Sequence, residues 1–226
     1  MKGMINGISF ENLDAEKYWT WPKSYKGDKN EETRQMFLNH NYVASEKKDG
    51  FYSRLIKDED GNIILQGRSR SVSGEYLDKH TYVPQLNSFF ESLPKGTCLL
   101  GEIYFPNQPG SRKVTTILGC LESKALARQE AGEKLHYYIF DIWAYNGKSY
   151  LNTKVENRIK DIELLPSSDY VEKATYLEGE EAWNELNNIL KNGGEGMVLT
   201  AKGTVPSPGK RTAPFARHFP ARADGR

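Results

Sequence analysis

The chain has 226 residues, of which 38% are hydrophobic, 12% aromatic and 27% charged, with a formal net charge of +1. That length and apolar content support one sizeable core and a single domain, and near neutrality excludes a strong overall field drawing the protein to a polyanion. No apolar run approaches the roughly 18 residues of a membrane span, the first seven residues lack the apolar stretch of a signal peptide, and the two cysteines, Cys98 and Cys120, are too few for a metal motif and fit a reducing cytoplasm.

The charge is unevenly spread. Residues 203–226 hold five basic residues (Lys210, Arg211, Arg217, Arg222, Arg226) against Asp224, leaving 26 basic and 29 acidic residues elsewhere. A basic end on a mildly acidic body points to an anionic contact there.

In chain order, residues 8–40 form a lead-in rich in Tyr, Trp and charge. Trp19 and Trp21 flank Thr20 before Pro22, which reads as an extended piece laid on a core, and Glu31–Asn39 reads as a short helix carrying Met36, Phe37 and Leu38. The next stretch, Ser45-Glu46-Lys47-Lys48-Asp49-Gly50, sets an amine in a tight turn between Tyr42–Ala44 and the β-prone run Phe51–Ile56. A desolvated or cation-crowded lysine loses its proton more readily and can attack an electrophile such as phosphorus. Lys47 is therefore the candidate nucleophile.

Asp58–Asn62 has the composition of a hairpin turn leading to Ile63–Gln66. Arg68 and Arg70 follow in a polar, glycine-bounded stretch suited to bidentate phosphate recognition. Leu86, Phe89, Phe90 and Leu93 make a helical core stripe that Pro94-Lys95-Gly96 ends.

Glu102 then interrupts the apolar strand Cys98–Pro106, and Asp141 interrupts the still more apolar Leu135–Tyr145. A buried carboxylate costs several kcal/mol unless it is paired, hydrogen-bonded or metal-bound, so each calls for a partner. Ser123–Glu133 reads as a helix, Asn146-Gly147 as a turn, Val155, Ile159 and Ile162 as one helical stripe and Trp183, Leu186 and Leu190 as another, with Tyr170–Tyr176 an edge strand between them. Glu195, in Gly193-Gly194-Glu195-Gly196-Met197-Val198-Leu199, opens a further apolar strand among glycines that let a ligand come close.

In order and spacing, Lys47-Lys48-Asp49-Gly50, Leu100-Gly101-Glu102-Ile103, Phe140-Asp141-Ile142 followed by Asn146-Gly147, and Glu195-Gly196-Met197-Val198-Leu199 resemble motifs I, III, IIIa and IV of the covalent nucleotidyltransferases. Within that superfamily the chain is similar to the adenylation domain of small ATP-dependent DNA ligases, such as those of bacteriophages. The Ser45-Glu46 lead-in, the Ser69-Arg70 pair and Pro208-Gly209-Lys210-Arg211 carry the same likeness, which covers about residues 42–212.

The resemblance implies an α+β, ATP-grasp-like fold of two antiparallel sheets with packed helices. It also implies transfer of AMP from ATP to Lys47, then to the 5′-phosphate of a DNA nick, and finally displacement of AMP by the 3′-OH. Asp49, Glu102 and Glu195 would hold Mg²⁺ or ribose hydroxyls, and Phe140 would stack on adenine. Glu46, Arg54, Arg70 and Lys210 would complete the ATP site. Arg68, Arg70, Lys210 and Arg211 would contact DNA. The implied partners are ATP and nicked duplex, with no membrane, for a cytoplasmic monomer.

The sequence departs from that pattern. Tyr52 stands where the motif I arginine is expected; Arg54 follows on the same strand face roughly 7 Å further along. Motif V should supply Lys-x-Lys, yet Thr212–Arg226 contains no lysine, so residues 213–226 read as an atypical basic tail of non-native composition after a domain of residues 1–212. No OB-fold is expected within the chain. The competing readings are an RNA ligase or capping-type nucleotidyltransferase, and a nucleotide- or nucleic-acid-binding remnant without catalysis.

Overall fold

The computed structural model describes residues 2–20, 28–107, 110–132 and 134–220, without the side chains of residues 18–20, 28–30 and 211–220. Trp21, Pro22 and the charged residues 222, 224 and 226, all named in the sequence reading, lie outside that description.

From the N-terminus, β1 (Met4–Ile5) and β2 (Ile8–Ser9) form a small hairpin, followed by β3 (Lys17–Thr20) and α1 (Asp28–Leu38). β4 (Tyr42–Glu46) leads through the turn at residues 47–50 into β5 (Phe51–Lys57), then β6 (Ile63–Arg70), β7 (Tyr76–Asp78), α2 (Asn87–Ser92) and β8 (Thr97–Tyr104). Next come α3 (Ser111–Leu118), α4 (Glu122–Glu130), β9 (His136–Tyr145), β10 (Lys148–Ser149) and α5 (Val155–Glu163). The described chain closes with β11 (Val171–Lys173), β12 (Tyr176–Leu177), α6 (Gly179–Lys191), β13 (Gly196–Ala201) and β14 (Arg211–Pro220).

These strands make two larger sheets. One runs β10-β9-β8-β5-β6-β7, with β11 also on β9; the other runs β12-β4-β13-β14-β3. The near-continuous apolar runs are explained by burial on both faces of the first sheet. Leu55, Leu65, Leu99 and Ile139 face a core shared with α2 to α5, whereas their neighbours Ile56, Ile64, Cys98, Leu100 and Trp143 pack against Ile5 and Phe10 of the lead-in. Period-two alternation sends adjacent residues to opposite layers. The second sheet packs Ala44, Met197 and Leu199 on Phe37 of α1 and on Ala182, Leu186 and Ile189 of α6.

The α+β architecture with two sheets matches the expectation, but neither sheet is wholly antiparallel. β11 runs parallel to β9 because α5 intervenes as a crossover, and β14 runs parallel to β3. The expected Tyr170–Tyr176 edge strand is two pieces in different sheets, β11 and β12. Asn146 (φ 49°) and Gly147 (φ 77°) form the expected turn, in the left-handed conformations a tight hairpin needs. Helix α3 was not anticipated: Val114, Ile117 and Leu118 are its only buried side chains. Within the expected tail 213–226, residues 213–220 belong to β14, which pairs with β13 and with β3. Among the described residues no helix is long and apolar enough to cross a membrane.

Asp58 closes the β5–β6 hairpin and ties it to the N-terminus. Fully buried, it accepts hydrogen bonds from Gly3 N–H (3.0 Å), Asp60 N–H (3.0 Å), Asn62 N–H (2.8 Å) and Asn62 Nδ2 (2.9 Å). Burial pushes its carboxyl up, but the bonds from Asn62 and Gly3 outweigh that and hold its pKa below the ordinary value. Asp58→Ala therefore costs about 2–4 kcal/mol in urea unfolding at pH 7. Because the native pKa is depressed, this stability is present above the unfolded-state pKa and is lost as pH falls through the native one. The variant lacks that part of the acid dependence.

Candidate active site

A cleft of about 790 Å³ lies between the two sheets. The turn at residues 47–50 forms its floor because β4 belongs to one sheet and β5 to the other, so the chain must cross there. Lys47 N–H still bonds Gly196 O (2.9 Å), extending the β4–β13 ladder by one residue. A Cβ on Gly50 would stand 2.2 Å from Ile103 O and 2.9 Å from Glu102 Cγ, so only glycine lets the turn lie on β8.

Lys47 Nζ donates to Glu195 Oε2 at 2.6 Å, with both side chains roughly a quarter exposed (29% and 26%). Burial pushes the Glu195 carboxyl above its ordinary pKa, against the pull of Lys47. Glu102 lines the same end of the cleft; burial pushes it up to about 7, opposed by Lys47 and Arg68 and reinforced by Glu195 and Asp49. Asp49 also lines the cleft, and its Oδ1 accepts Ser111 N–H (3.0 Å) at the start of α3, so this acid of the Lys-x-Asp-Gly turn anchors a helix.

Lys48, the neighbour of the nucleophile candidate, is fully engaged. Its Nζ bonds Glu46 Oε2 (2.7 Å) and Glu172 Oε1 (3.3 Å) and lies about 5 Å from the Tyr104 and Tyr138 ring centres (5.2 and 5.0 Å). Glu46, on the cleft wall, is thereby held by Lys48.

Next to Glu102, whose cross-strand partner is Tyr52, the cleft wall turns aromatic. Phe140 and Tyr52 line it with ring centres 6.2 Å apart; the Arg68 guanidinium sits 5.1 Å from the Tyr52 ring, and Tyr176 OH donates to Phe140 O. The buried Tyr52 OH has no hydrogen-bond partner among the described residues. Beside them Arg158 grips Asp141 with two bonds (Nε to Oδ1 2.7 Å, Nη2 to Oδ2 3.1 Å) and gives Nη1 to Thr153 O and Thr204 O. Glu16, from the lead-in, also lines the cleft and accepts Ser207 N–H.

Of the residues singled out from sequence, Glu46, Lys47, Asp49, Arg68, Glu102, Phe140 and Glu195 line the cleft. Arg54 does not. It is 1% exposed, donates to Leu13 O (2.5 Å) and Glu11 O (3.2 Å), and lies between the Tyr76 and Trp143 rings (5.6 Å each). The lead-in covers that part of the strand face, so Arg54 anchors the segment instead of meeting a ribose. Arg70, expected at the nucleotide or DNA, bonds Gly74 O, Asn12 O and Asp14 and stacks 4.4 Å from Tyr76, away from the cleft. Lys210 is exposed outside the cleft lining, and its carbonyl accepts Lys17 N–H. The side chain of Arg211 lies outside the described residues.

Sequence reasoning missed Glu16, Arg158 and the clamp on Lys48. Arg158 had a signal: it lies on the buried stripe of α5 with Val155 and Ile162, where the pattern suggested Ile159. Glu16 and Glu172 had none.

The cleft suits a nucleotide by volume and by its charged groups set beside an aromatic wall. For a divalent cation, no three His, Cys, Asp or Glu side chains among the described residues stand close enough to cage it. Mg²⁺ commonly takes one or two carboxylates and completes its shell with phosphate oxygens and water, and the acids here fit that pattern.

A family model described as ATP dependent DNA ligase domain matches residues 24–216. The multifunctional non-homologous end joining DNA repair protein LigD of Mycobacterium tuberculosis is 24% identical over 172 residues, covering 76% of this chain and 20% of LigD. The chain thus spans about a fifth of the length of such relatives. The structure of mycobacterial DNA ligase D complexed with ATP and MES superposes with a TM-score of 0.66 at 18% identity, over 94% of this chain and 62% of that one. The ATP-dependent DNA ligase from bacteriophage T7 in complex with ATP gives a TM-score of 0.60 at 13% identity, over 93% and 69%.

Proposed function

The chain belongs to the ATP dependent DNA ligase domain family, and on that premise we propose that it is the catalytic core of a DNA-joining enzyme that works through a covalent lysine–AMP adduct. The observation that carries this reading is the Lys47 amine, in the cleft and in direct contact with Glu195, with a second acid and an aromatic wall beside it.

In the proposed first step the Lys47 amine attacks the α-phosphorus of ATP. A P–N bond forms as the bond to the pyrophosphate oxygen breaks. Glu195, already hydrogen-bonded to Nζ, takes the amine proton; its burial-raised pKa makes it a better base than a solvated carboxylate. Glu102 and Asp49 would hold Mg²⁺ against the phosphates, and the ion would neutralise charge developing on the leaving pyrophosphate. Phe140 and Tyr52 offer the apolar wall for the base.

In the following steps AMP passes to the 5′-phosphate of a nick, and the 3′-OH then displaces it to close the phosphodiester. Arg68, exposed where it lines the cleft, would meet a backbone phosphate of the duplex. The test is a nicked duplex carrying a labelled 5′-phosphate, incubated with ATP and Mg²⁺. The expected result is a full-length labelled strand that needs both, with an adenylated 5′ end as intermediate. A protein that accepts AMP but leaves a DNA nick untouched while joining RNA ends would overturn the DNA assignment.

A further inference from the structure

We propose that Glu16 reads the base of the nucleotide as a neutral carboxylic acid, its hydroxyl donating to a ring nitrogen of adenine and its carbonyl accepting from the 6-amino group. The inference rests on the nucleotide reading above and adds the group that recognises the base.

Glu16 is held in place on both sides. Upstream, Arg54 fixes the carbonyls of Glu11 and Leu13; downstream, Gly209 N–H bonds Asp14 O (3.0 Å) and Lys17 N–H bonds Lys210 O (3.1 Å). These bonds fix the backbone on either side of Glu16. One oxygen accepts Ser207 N–H, its one hydrogen bond among the described residues.

Different charges act on the acids of the cleft. Lys47 and Asp49 act on Glu195, joined by Arg68 at Glu102; the groups acting on Glu16 are Asp141 and Arg158. Glu16 thus lies by Asp141 and Arg158, on a stretch of cleft wall that also holds Phe140 and reaches Tyr52, whose hydroxyl has no partner among the described residues. Arg158 lowers the Glu16 pKa through space, but its hydrogen bonds go to Asp141 and to two carbonyls.

Burial pushes Glu16 up to about 7; Ser207 N–H and Arg158 pull it down, and Asp141 pushes it further up. Near neutrality a large share of the protein therefore carries the acid form, a donor beside an acceptor. Adenine presents the complement on both of its hydrogen-bonding edges, an amino N–H next to a ring nitrogen. A carboxylic acid kept neutral by its site so that it can donate is an established chemical device.

The sign follows. Above the Glu16 pKa the donor is lost, so apparent ATP affinity falls in proportion to the remaining acid fraction. Glu16→Gln carries the same donor and acceptor at every pH and keeps the Ser207 bond; Glu16→Ala carries neither.

The experiment measures calorimetric affinity in EDTA, where no transfer occurs, for ATP and for purine-riboside triphosphate, which lacks the 6-amino group. In wild type, ATP affinity is expected to fall at least about fivefold from pH 6.5 to 8.5, beyond the change seen in Glu16→Gln, which controls for titration of the phosphates. At pH 6.5 wild type and Glu16→Gln prefer ATP to the analogue about tenfold, and Glu16→Ala does not. Covalent labelling by ATP carrying label at the α-phosphate is followed in parallel. Labelling with Glu16→Ala unchanged in affinity, base preference and pH profile overturns the role of Glu16 alone. The expected binding pattern without any covalent label supports Glu16 and overturns the catalytic reading. No binding of ATP at either pH together with no covalent label overturns both.

Discussion

Replacing Lys47 with alanine removes covalent nucleotide from the protein altogether, and replacing it with arginine does the same. The reasoning is geometric. Lys48 is adjacent, but its ammonium is shared by Glu46 and Glu172 and lies against two tyrosine rings, so it cannot take over. Lys202 also borders the cleft, yet it is bound to Glu178 at 2.7 Å. Arginine fails because its guanidinium stays protonated and has no free amine pair. Stability should change by no more than about 1 kcal/mol, since the Lys47–Glu195 pair is partly solvated. Loss of label with an unchanged urea midpoint separates a chemical defect from a folding one.

Arg158→Met has the largest expected effect on the fold. Arg158 and Asp141 are 4% and 9% exposed, and the substitution strands the Asp141 carboxylate in the interior. Removing one partner of a buried pair costs about 3–5 kcal/mol, a large part of the roughly 5–15 kcal/mol that holds a domain together. It also frees Thr153 O and Thr204 O, which Arg158 ties together across the cleft end. The double variant Arg158→Met/Asp141→Leu should recover much of the loss, because the uncompensated charge is gone. Chemical unfolding of wild type, Arg158→Met, Asp141→Leu and the double variant gives the coupling.

The residues that announced themselves in the sequence share one property: each breaks a local rule. Lys47 and Asp49 sit in a turn, and Glu102, Asp141 and Glu195 interrupt or begin apolar strands. Burial makes such exceptions costly, so a reader can find them without a fold. Arg54 shows the limit. Its strand face was inferred correctly, as its contact with Trp143 beside Tyr52 in one layer bears out, but the lead-in segment that covers it is joined by contacts some 40 residues apart. Glu16 lies beyond reach for the same reason: its neighbours Ser207, Asp141 and Arg158 come from three distant elements. The pairing of residues 213–220 in β14 was not legible either, because its partners β3 and β13 are distant in the chain or lie across a turn-rich segment.

The central claim is that Lys47 becomes covalently bound to AMP. Its most direct test is to incubate the wild-type protein with ATP and Mg²⁺, digest it under denaturing conditions and locate the adduct by peptide mass spectrometry. The account predicts AMP on the peptide containing Lys47, through an acid-labile bond that survives base, as a P–N linkage should. AMP on another side chain, or an unmodified Lys47 peptide from a folded protein that binds ATP, would contradict it.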